Sequence, residues 1–232
     1  MERRALLEVI EVLGKVYVPW KWETHDPFKI LVSTILSQRT SWINVKKAVK
    51  RLEGKIGITP QSIVRADLES IKESIRVAGL YNMKSVRIRE ISKIIVEKYG
   101  GDLDRILNLP LEDARKELLS LPGVGFKTAD VILLFAANKP VFPVDTHIMR
   151  VSKRLGIVKG KPDYEKIRHA WEKALPREKY ATAHILLILH GRNVCKSGEP
   201  LCNECPITRF CEFYRKFKEG VMDEGDKKGA PY

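Results

Sequence analysis

The sequence predicts an all-α fold of two helical domains with a cleft between them. Three observations predict it. Apolar residues recur at three- and four-residue spacing along almost the whole chain. Prolines mark helix starts at Asp26-Pro27, Thr59-Pro60 and Lys161-Pro162, near a first turn where a missing N–H is not missed. No stretch between turn signals alternates apolar and polar residues with a period of two, as a half-buried strand does.

The elements follow in order. Residues 1–15, MERRALLEVIEVLGK, open with charges and then interleave apolar and acidic positions. A lone helix of that length cannot bury its own stripe, so it is expected to pack against the C-terminal half. After Pro27, the residues Phe28, Leu31, Val32, Ile35 and Leu36 hold helical spacing, and Val45, Ala48, Val49 and Leu52 do so next. Val86, Ile91, Ile94 and Ile95 form a third stripe, closed by Gly100-Gly101. Residues 111–120 and 126–137 read as helices flanking a glycine hairpin; 146–155, 163–175 and 178–190 continue the pattern. Val141-Phe-Pro-Val144 is apolar, but its proline and brevity favour a loop. The tail 223–232, rich in charge and glycine, is expected to fray.

The chain has 232 residues, room for one or two domains and a sizeable core. Its 42 Lys and Arg outnumber 29 Asp and Glu, a net charge of +13. Such an excess raises anion affinity and association rate. It points to nucleic acid first and an anionic membrane surface second, and a solubility surface explains it too. No apolar run reaches the ~18 residues of a membrane span. The N-terminus lacks the unbroken apolar stretch and small-residue cleavage site of a signal peptide. A cytoplasmic protein without membrane association is expected.

The chemistry concentrates at two places. In Leu121-Pro-Gly-Val-Gly-Phe-Lys-Thr-Ala-Asp130, Gly123 and Gly125 let backbone N–H groups approach a phosphate with no Cβ in the way. Lys127 then stands at the start of the following helix, and Asp145 lies eighteen positions further on, in Val144-Asp-Thr-His147. An exposed lysine is protonated at pH 7 and is no nucleophile. Burial and the positive field of a helix N-terminus both disfavour its charged form, so an amine here, with a carboxylate near it, suits attack on carbon. Lys127 also reads as a phosphate-binding lysine, and Asp145 as an N-cap for the helix from Thr146.

All four cysteines fall in one stretch, Cys195, Cys202, Cys205 and Cys211, spaced C-x6-C-x2-C-x5-C. Two disulfides suit a small secreted domain, which this chain does not resemble. Four thiolates satisfy tetrahedral zinc or a cubane iron–sulfur cluster, and the spacing alone leaves those two even. Lys196, Arg209, Arg215, Lys216 and Lys218 surround the site in sequence.

Taken together, the hairpin, Lys127, Asp145 and the cysteine spacing resemble the endonuclease III family of DNA glycosylases, in the helix–hairpin–helix superfamily. The resemblance runs from about Phe28 to Cys211 and includes Leu36-Ser-Gln38-Arg-Thr40, Gly79-Leu80-Tyr-Asn82, LPGVGxKTA, VDTH and His190-Gly-Arg192. It implies a [4Fe–4S] cluster on the four cysteines. It implies a six-helix barrel with the helix–hairpin–helix over 24–138, and a cluster domain from 1–23 plus 139–232, with the DNA-binding cleft between them. It also implies a base-excision-repair enzyme, bifunctional DNA glycosylase and abasic-site lyase, acting as a monomer on double-stranded DNA with damaged or mismatched bases, in the nucleoid of a prokaryotic cell.

In such an enzyme a damaged base is flipped into the cleft. Lys127 attacks C1′, the base leaves, and the Schiff base allows β-elimination. Asp145 stabilises the cationic sugar and moves protons. Gln38 and Leu80 match the wedge positions that fill the gap left by the flipped base, though core packing for Leu80 and a surface amide for Gln38 are the plain alternatives. His147 matches a DNA-contacting position and equally suits a neutral structural histidine.

Four residues depart from the family pattern. Ser41-Trp42 replace an acidic residue, Phe126 a basic one, and Asp130 an asparagine; on a helix, Asp130 shares a face with Lys127. These leave the nucleophile in place and bear on the base selected: oxidised pyrimidines by default, with mismatched thymine or uracil and 8-oxoguanine as alternatives. Two other functions compete: a non-catalytic binder of damaged DNA, which needs neither Lys127 nor Asp145, and a cluster-based redox sensor.

Overall fold

The computed structural model describes residues 2–221, so the tail expected to fray lies outside the described residues. Every regular element among them is helical. In chain order these are α1 (Arg3–Val16), α2 (Pro27–Leu36), α3 (Trp42–Lys55), α4 (Pro60–Arg65), α5 (Leu68–Ile75), α6 (Tyr81–Tyr99), α7 (Asp104–Leu107), α8 (Leu111–Ser120), α9 (Phe126–Phe135), α10 (Thr146–Arg154), α11 (Tyr164–Ala174), α12 (Tyr180–Asn193) and α13 (Glu212–Glu219). None of these helices is long and apolar enough to cross a membrane.

The helix starts are chemically marked. Asp26 accepts from Lys29 N at 2.9 Å ahead of Pro27, and Thr59 and Ser62 form a reciprocal capping box around Pro60. Asp67 and Asp163 cap α5 and α11 in the same way, each cap being worth about 1 kcal/mol. Pro162 is not the first residue of α11: it precedes the Asp163 cap, and the helix opens at Tyr164. Gly100, at φ 66°, ends α6 in the left-handed conformation.

The chain divides into two compact units, one spanning Trp22–Lys139, the other formed by the described parts of Met1–Lys21 and Pro140–Tyr232. In the first unit, α2 is the central element. Eight of its ten residues are buried, so its apolar character all round is what a fully enclosed helix requires. It packs on α9, α6 and α3, while α4 and α5 lean on α6 and α8 lies against α9.

In the second unit, α1 buries Leu6, Val9, Ile10 and Leu13 against α11 and α12. The stripe that a lone helix cannot satisfy is thus covered by the C-terminal half. The segment Val141-Phe-Pro-Val144 is an irregular connection, as its proline requires, yet all four residues are buried. Side chains satisfy its backbone: Glu172 accepts from Phe142 N at 2.9 Å, and His184 Nδ1 donates to Pro143 O at 2.9 Å. The Phe142 ring stacks on Trp171, centroids 5.9 Å apart.

Candidate functional site

The hairpin between α8 and α9 carries the first group of candidate residues. Gly123 has φ 73°, and a Cβ there would collide with the Arg87 guanidinium. The positive φ favours glycine, and any larger residue would also have to displace the Arg87 side chain. Gly125 is different. It is the N-cap of α9 with φ −97° and ψ 178°, extended backbone open to any residue, and a Cβ there meets nothing within 4 Å. The chain's own fold does not require a glycine at 125. What its absence of a side chain leaves is an unobstructed approach to the first-turn N–H groups of α9, which have no intrahelical partners.

Lys127 is the second residue of α9 and is partly buried. Behind it, Asp130 is fully buried and takes a bidentate pair of bonds from Arg115 of α8, at 2.7 and 3.2 Å. The Arg115 guanidinium also lies over the Phe126 ring, 5.0 Å from its centroid. Two of the residues that depart from the family pattern, Phe126 and Asp130, therefore brace the two arms of the hairpin. A third, Ser41, caps α3 by accepting from Asn44 N at 3.3 Å.

Gln38 and Leu80 sit on two connections of the same unit. Leu80 is 46% exposed, a large apolar side chain presented to solvent rather than packed in the core. It is also left-handed, φ 49°, directly after Gly79 at φ 67°; Arg39, next to Gln38, has φ 54°. Non-glycine residues pay of order 1 kcal/mol or more for that region, and such strain persists only where surroundings over-determine it. The surroundings here are two residues of α6 that the sequence pattern does not single out. Lys84 has no exposed surface and donates to three backbone carbonyls, Leu36 O at 2.8 Å, Gln38 O at 2.7 Å and Ala78 O at 2.9 Å. Arg87 Nη1 donates to Gln38 Oε1 at 3.1 Å.

Asp145 and His147 belong to the second unit. Asp145 caps α10, accepting from Ile148 N at 2.8 Å. His147 Nδ1 faces Arg150 Nη2 at 3.0 Å. A guanidinium only donates, so Nδ1 accepts and the ring proton is on Nε2. Burial, with the Arg150 and Arg192 charges, pushes the His147 pKa below its ordinary value against the pull of Asp145 and of a hydrogen bond to the Gly191 backbone. The shift favours the neutral form of this histidine. Its backbone sits close to α12: a Cβ on Gly191 would stand 2.8 Å from His147 Cβ, which accounts for the glycine of His190-Gly-Arg192.

The four cysteines are free thiols lining one small cavity with Val151, Arg154, His190, Ile207 and Phe213. Among the described residues no three His, Cys, Asp or Glu side chains gather about a single point as the ligands of one ion do. Four cysteine sulfurs line this one largely apolar cavity, a donor set that an iron–sulfur cluster can use. Cations and N–H groups reach the sulfurs. Arg154 Nη1 lies 3.2 Å from Cys195 Sγ, and His190 Nε2 lies 3.7 Å from Cys205 Sγ, with the Tyr17 hydroxyl 3.3 Å from His190 Nδ1. Arg150 Nε donates to Cys195 O at 2.9 Å. Burial pushes the Cys205 and Cys211 thiols up to about 11 and about 12. Of the flanking cations named from sequence, Arg209 reaches Glu8 at 3.3 Å and Lys216 reaches Glu212 at 3.3 Å.

Arg150, Arg154 and Tyr17 escaped the sequence reading, and His190 entered it only as part of the His190-Gly-Arg192 segment. The basic residues at 150 and 154 are four apart on α10, on the face that meets the cysteine loop, and that spacing is the signal that could have found them.

Residues 32–177 match the family model of the HhH-GPD superfamily base excision DNA repair proteins. The chain is 41% identical to the endonuclease III of Thermotoga maritima over 217 residues, 92% of this chain and 97% of that protein. It is 36% identical to the endonuclease III of Bacillus subtilis, over 85% of this chain and 86% of that one. Its fold is similar to that of a solved endonuclease III trapped as a covalent intermediate with DNA, an estranged-adenine complex, with a TM-score of 0.81 and 30% identity over 94% of this chain and 99% of the other. The chain belongs to the endonuclease III family of DNA glycosylases and abasic-site lyases, within the helix–hairpin–helix superfamily of base excision repair proteins.

Proposed function

We propose that the protein excises oxidised pyrimidines from double-stranded DNA and cuts the strand at the resulting abasic site, with Lys127 as nucleophile and Asp145 as its carboxylate partner. The observation that carries this reading is the setting of Lys127: a partly buried amine in the first turn of α9, directly after a hairpin whose Gly125 keeps the backbone open to a phosphate. The covalent DNA intermediate of a 30% identical endonuclease III supports it.

The chemistry balances with these two groups. The Lys127 amine, in its neutral form, attacks C1′ of a flipped nucleotide. The bond from C1′ to the base breaks, and the base leaves with the electron pair and takes up a proton. Opening of the sugar ring gives a Schiff base between Nζ and C1′. Loss of a proton from C2′ then expels the 3′ phosphate by β-elimination, and water releases the lysine. Asp145 stabilises the positive charge that develops on the sugar and carries the protons. The Gly123 to Gly125 backbone holds the phosphate, the Nε2–H of His147 contacts the DNA backbone, and Gln38 and Leu80 fill the space the base vacates.

Cys195, Cys202, Cys205 and Cys211 would hold a [4Fe–4S] cluster. When bound, such a cluster staples its loop at four points and can exchange one electron. Within this reading, Trp22–Lys139 is the barrel domain carrying the hairpin and the remainder is the cluster domain; the protein acts as a monomer.

The test is borohydride trapping on duplexes carrying one thymine glycol, G·T mismatch, G·U mismatch, 8-oxoguanine or abasic site. A covalent adduct that Lys127→Gln loses while still binding DNA supports the nucleophile, and the strongest duplex names the base. Trapping that survives Lys127→Gln would remove Lys127 from the role.

A further inference from the structure

Two side chains of α6 hold the residues that are read above as filling the vacated space, and the inference rests on that reading. Lys84 and Arg87 are one turn apart on the same face of the helix. The Lys84 side chain is fully enclosed, and its three acceptors come from two separate segments: Leu36 and Gln38 at the end of α2, and Ala78 at the end of the turn before Leu80. Three carbonyls at 2.7 to 2.9 Å need three donors, and only the charged amine has three N–H groups. Burial alone pushes its pKa down to about 8, and the three carbonyls oppose that shift.

The placement of those acceptors is informative. Gln38 O is followed by Arg39 at φ 54°, and Ala78 O by Gly79 at φ 67° and Leu80 at φ 49°. Each tied carbonyl thus anchors a left-handed turn directly beside a residue of the pair. A methionine in place of Lys84 fills similar volume and leaves the three carbonyls unbound, so both turns lose what holds them in a costly conformation.

Arg87 acts on a side chain rather than the backbone. Its guanidinium occupies the space that a Cβ on Gly123 would need, and its Nη1 meets the Gln38 amide. Because a guanidinium has donors and no acceptor, the amide atom facing it is the oxygen. Gln38 is then left with its two N–H groups to offer to anything else.

We propose that Lys84 and Arg87 are positioning residues for the gap-filling pair: Lys84 fixes the two turns that present Gln38 and Leu80, and Arg87 fixes the Gln38 amide as a hydrogen-bond donor toward the base left without a partner. A donor-only amide discriminates among the four opposing bases, whose edges carry different patterns of acceptors. An amide free to rotate presents either face and loses that discrimination.

The experiment uses preformed abasic sites, so it does not depend on which damaged base is preferred. Trapping rates are measured on duplexes with A, C, G or T opposite the site, and on a single-stranded abasic oligonucleotide, which has no gap to fill. Lys84→Met is expected to slow trapping on every duplex by about 3- to 30-fold and to leave the single-strand rate unchanged within about 2-fold. Arg87→Ala, a partly exposed position where folding is not at risk, is expected to flatten the spread of rates among the four opposing bases. That effect should vanish in a Gln38→Ala background, since it acts through the amide. A uniform loss across all four bases that persists without Gln38 would overturn the proposal and make Arg87 a plain phosphate contact. Equal rates opposite all four bases in the parent protein would overturn it as well. Unchanged duplex rates in Gln38→Ala and Leu80→Ala would instead bring down the gap-filling reading itself, and the inference with it.

Discussion

The Asp145 carboxylate accepts the Ile148 N–H at 2.8 Å, so one side chain has both a structural and a proposed chemical task. Two substitutions separate them. Asn caps a helix about as well as Asp, whereas Ala costs about 1 kcal/mol. Asp145→Asn is therefore expected to melt with the parent protein yet trap far less of the covalent adduct, and Asp145→Ala to lose the same activity and about 2–4 °C of Tm besides. Thermal melts beside single-turnover kinetics read both. Full activity in Asp145→Asn would reduce the residue to a cap. The backbone positions of Lys127 in the first turn of α9 and of Asp145 at the cap of α10 were legible in the sequence, because the hairpin motif and the VDTH segment each fix a residue to a local backbone shape. Lys84 was not: its three acceptors come from residues 36, 38 and 78, and a lysine within a helical stripe reads as surface until those segments are brought together.

At the scale of elements, the two hairpin glycines are expected to fail differently. Gly123→Ala puts a Cβ at φ 73° and into Arg87, so it strains the turn and displaces a side chain that also holds Gln38. A loss of roughly 1–3 kcal/mol in denaturant stability follows. Gly125→Ala meets nothing within 4 Å at an ordinary φ, so its stability should stay within about 0.5 kcal/mol while DNA affinity falls. Gly125→Ala with unweakened DNA binding would mean that no phosphate approaches this backbone. The hairpin and its two flanking helices were legible from the motif, as were α2, α3 and the long helices from α10 to α12, because each carries several turns of apolar spacing or a proline and cap at its start. The short α5, α7 and α13 were not. A helix of one or two turns carries too few periods for its stripe to stand out, and the packing of α5 on α3 and α6 decides it. The buried Val141-Phe-Pro-Val144 connection was read as a loop, but its burial depends on Glu172, Tyr164 and His184, which no local pattern names.

At the scale of the whole molecule, two properties remain to be measured. The cysteine cavity predicts a brown protein absorbing near ~400 nm, as thiolate-bound iron–sulfur clusters do. Cys205→Ser should lower both the colour and the melting temperature; a colourless protein loaded with zinc would refute the cluster. The second property is the response to salt. A net charge of +13 makes the association with DNA largely a release of counterions. The logarithm of the binding constant should then fall linearly with the logarithm of salt concentration, by about 0.9 for each phosphate neutralised, which for several contacts is roughly a thousandfold between 50 and 200 mM. The chemical step should respond differently, because an amine attacking a carbon inside a bound complex is shielded from mobile ions. Trapping rates at saturating DNA are therefore expected to stay nearly constant over the same range in which affinity collapses. Affinity that ignores salt would leave the charge excess as a solubility surface. A trapping rate that falls in parallel with affinity would mean that the nucleophile itself stands in open solvent, contrary to the partly buried position of Lys127.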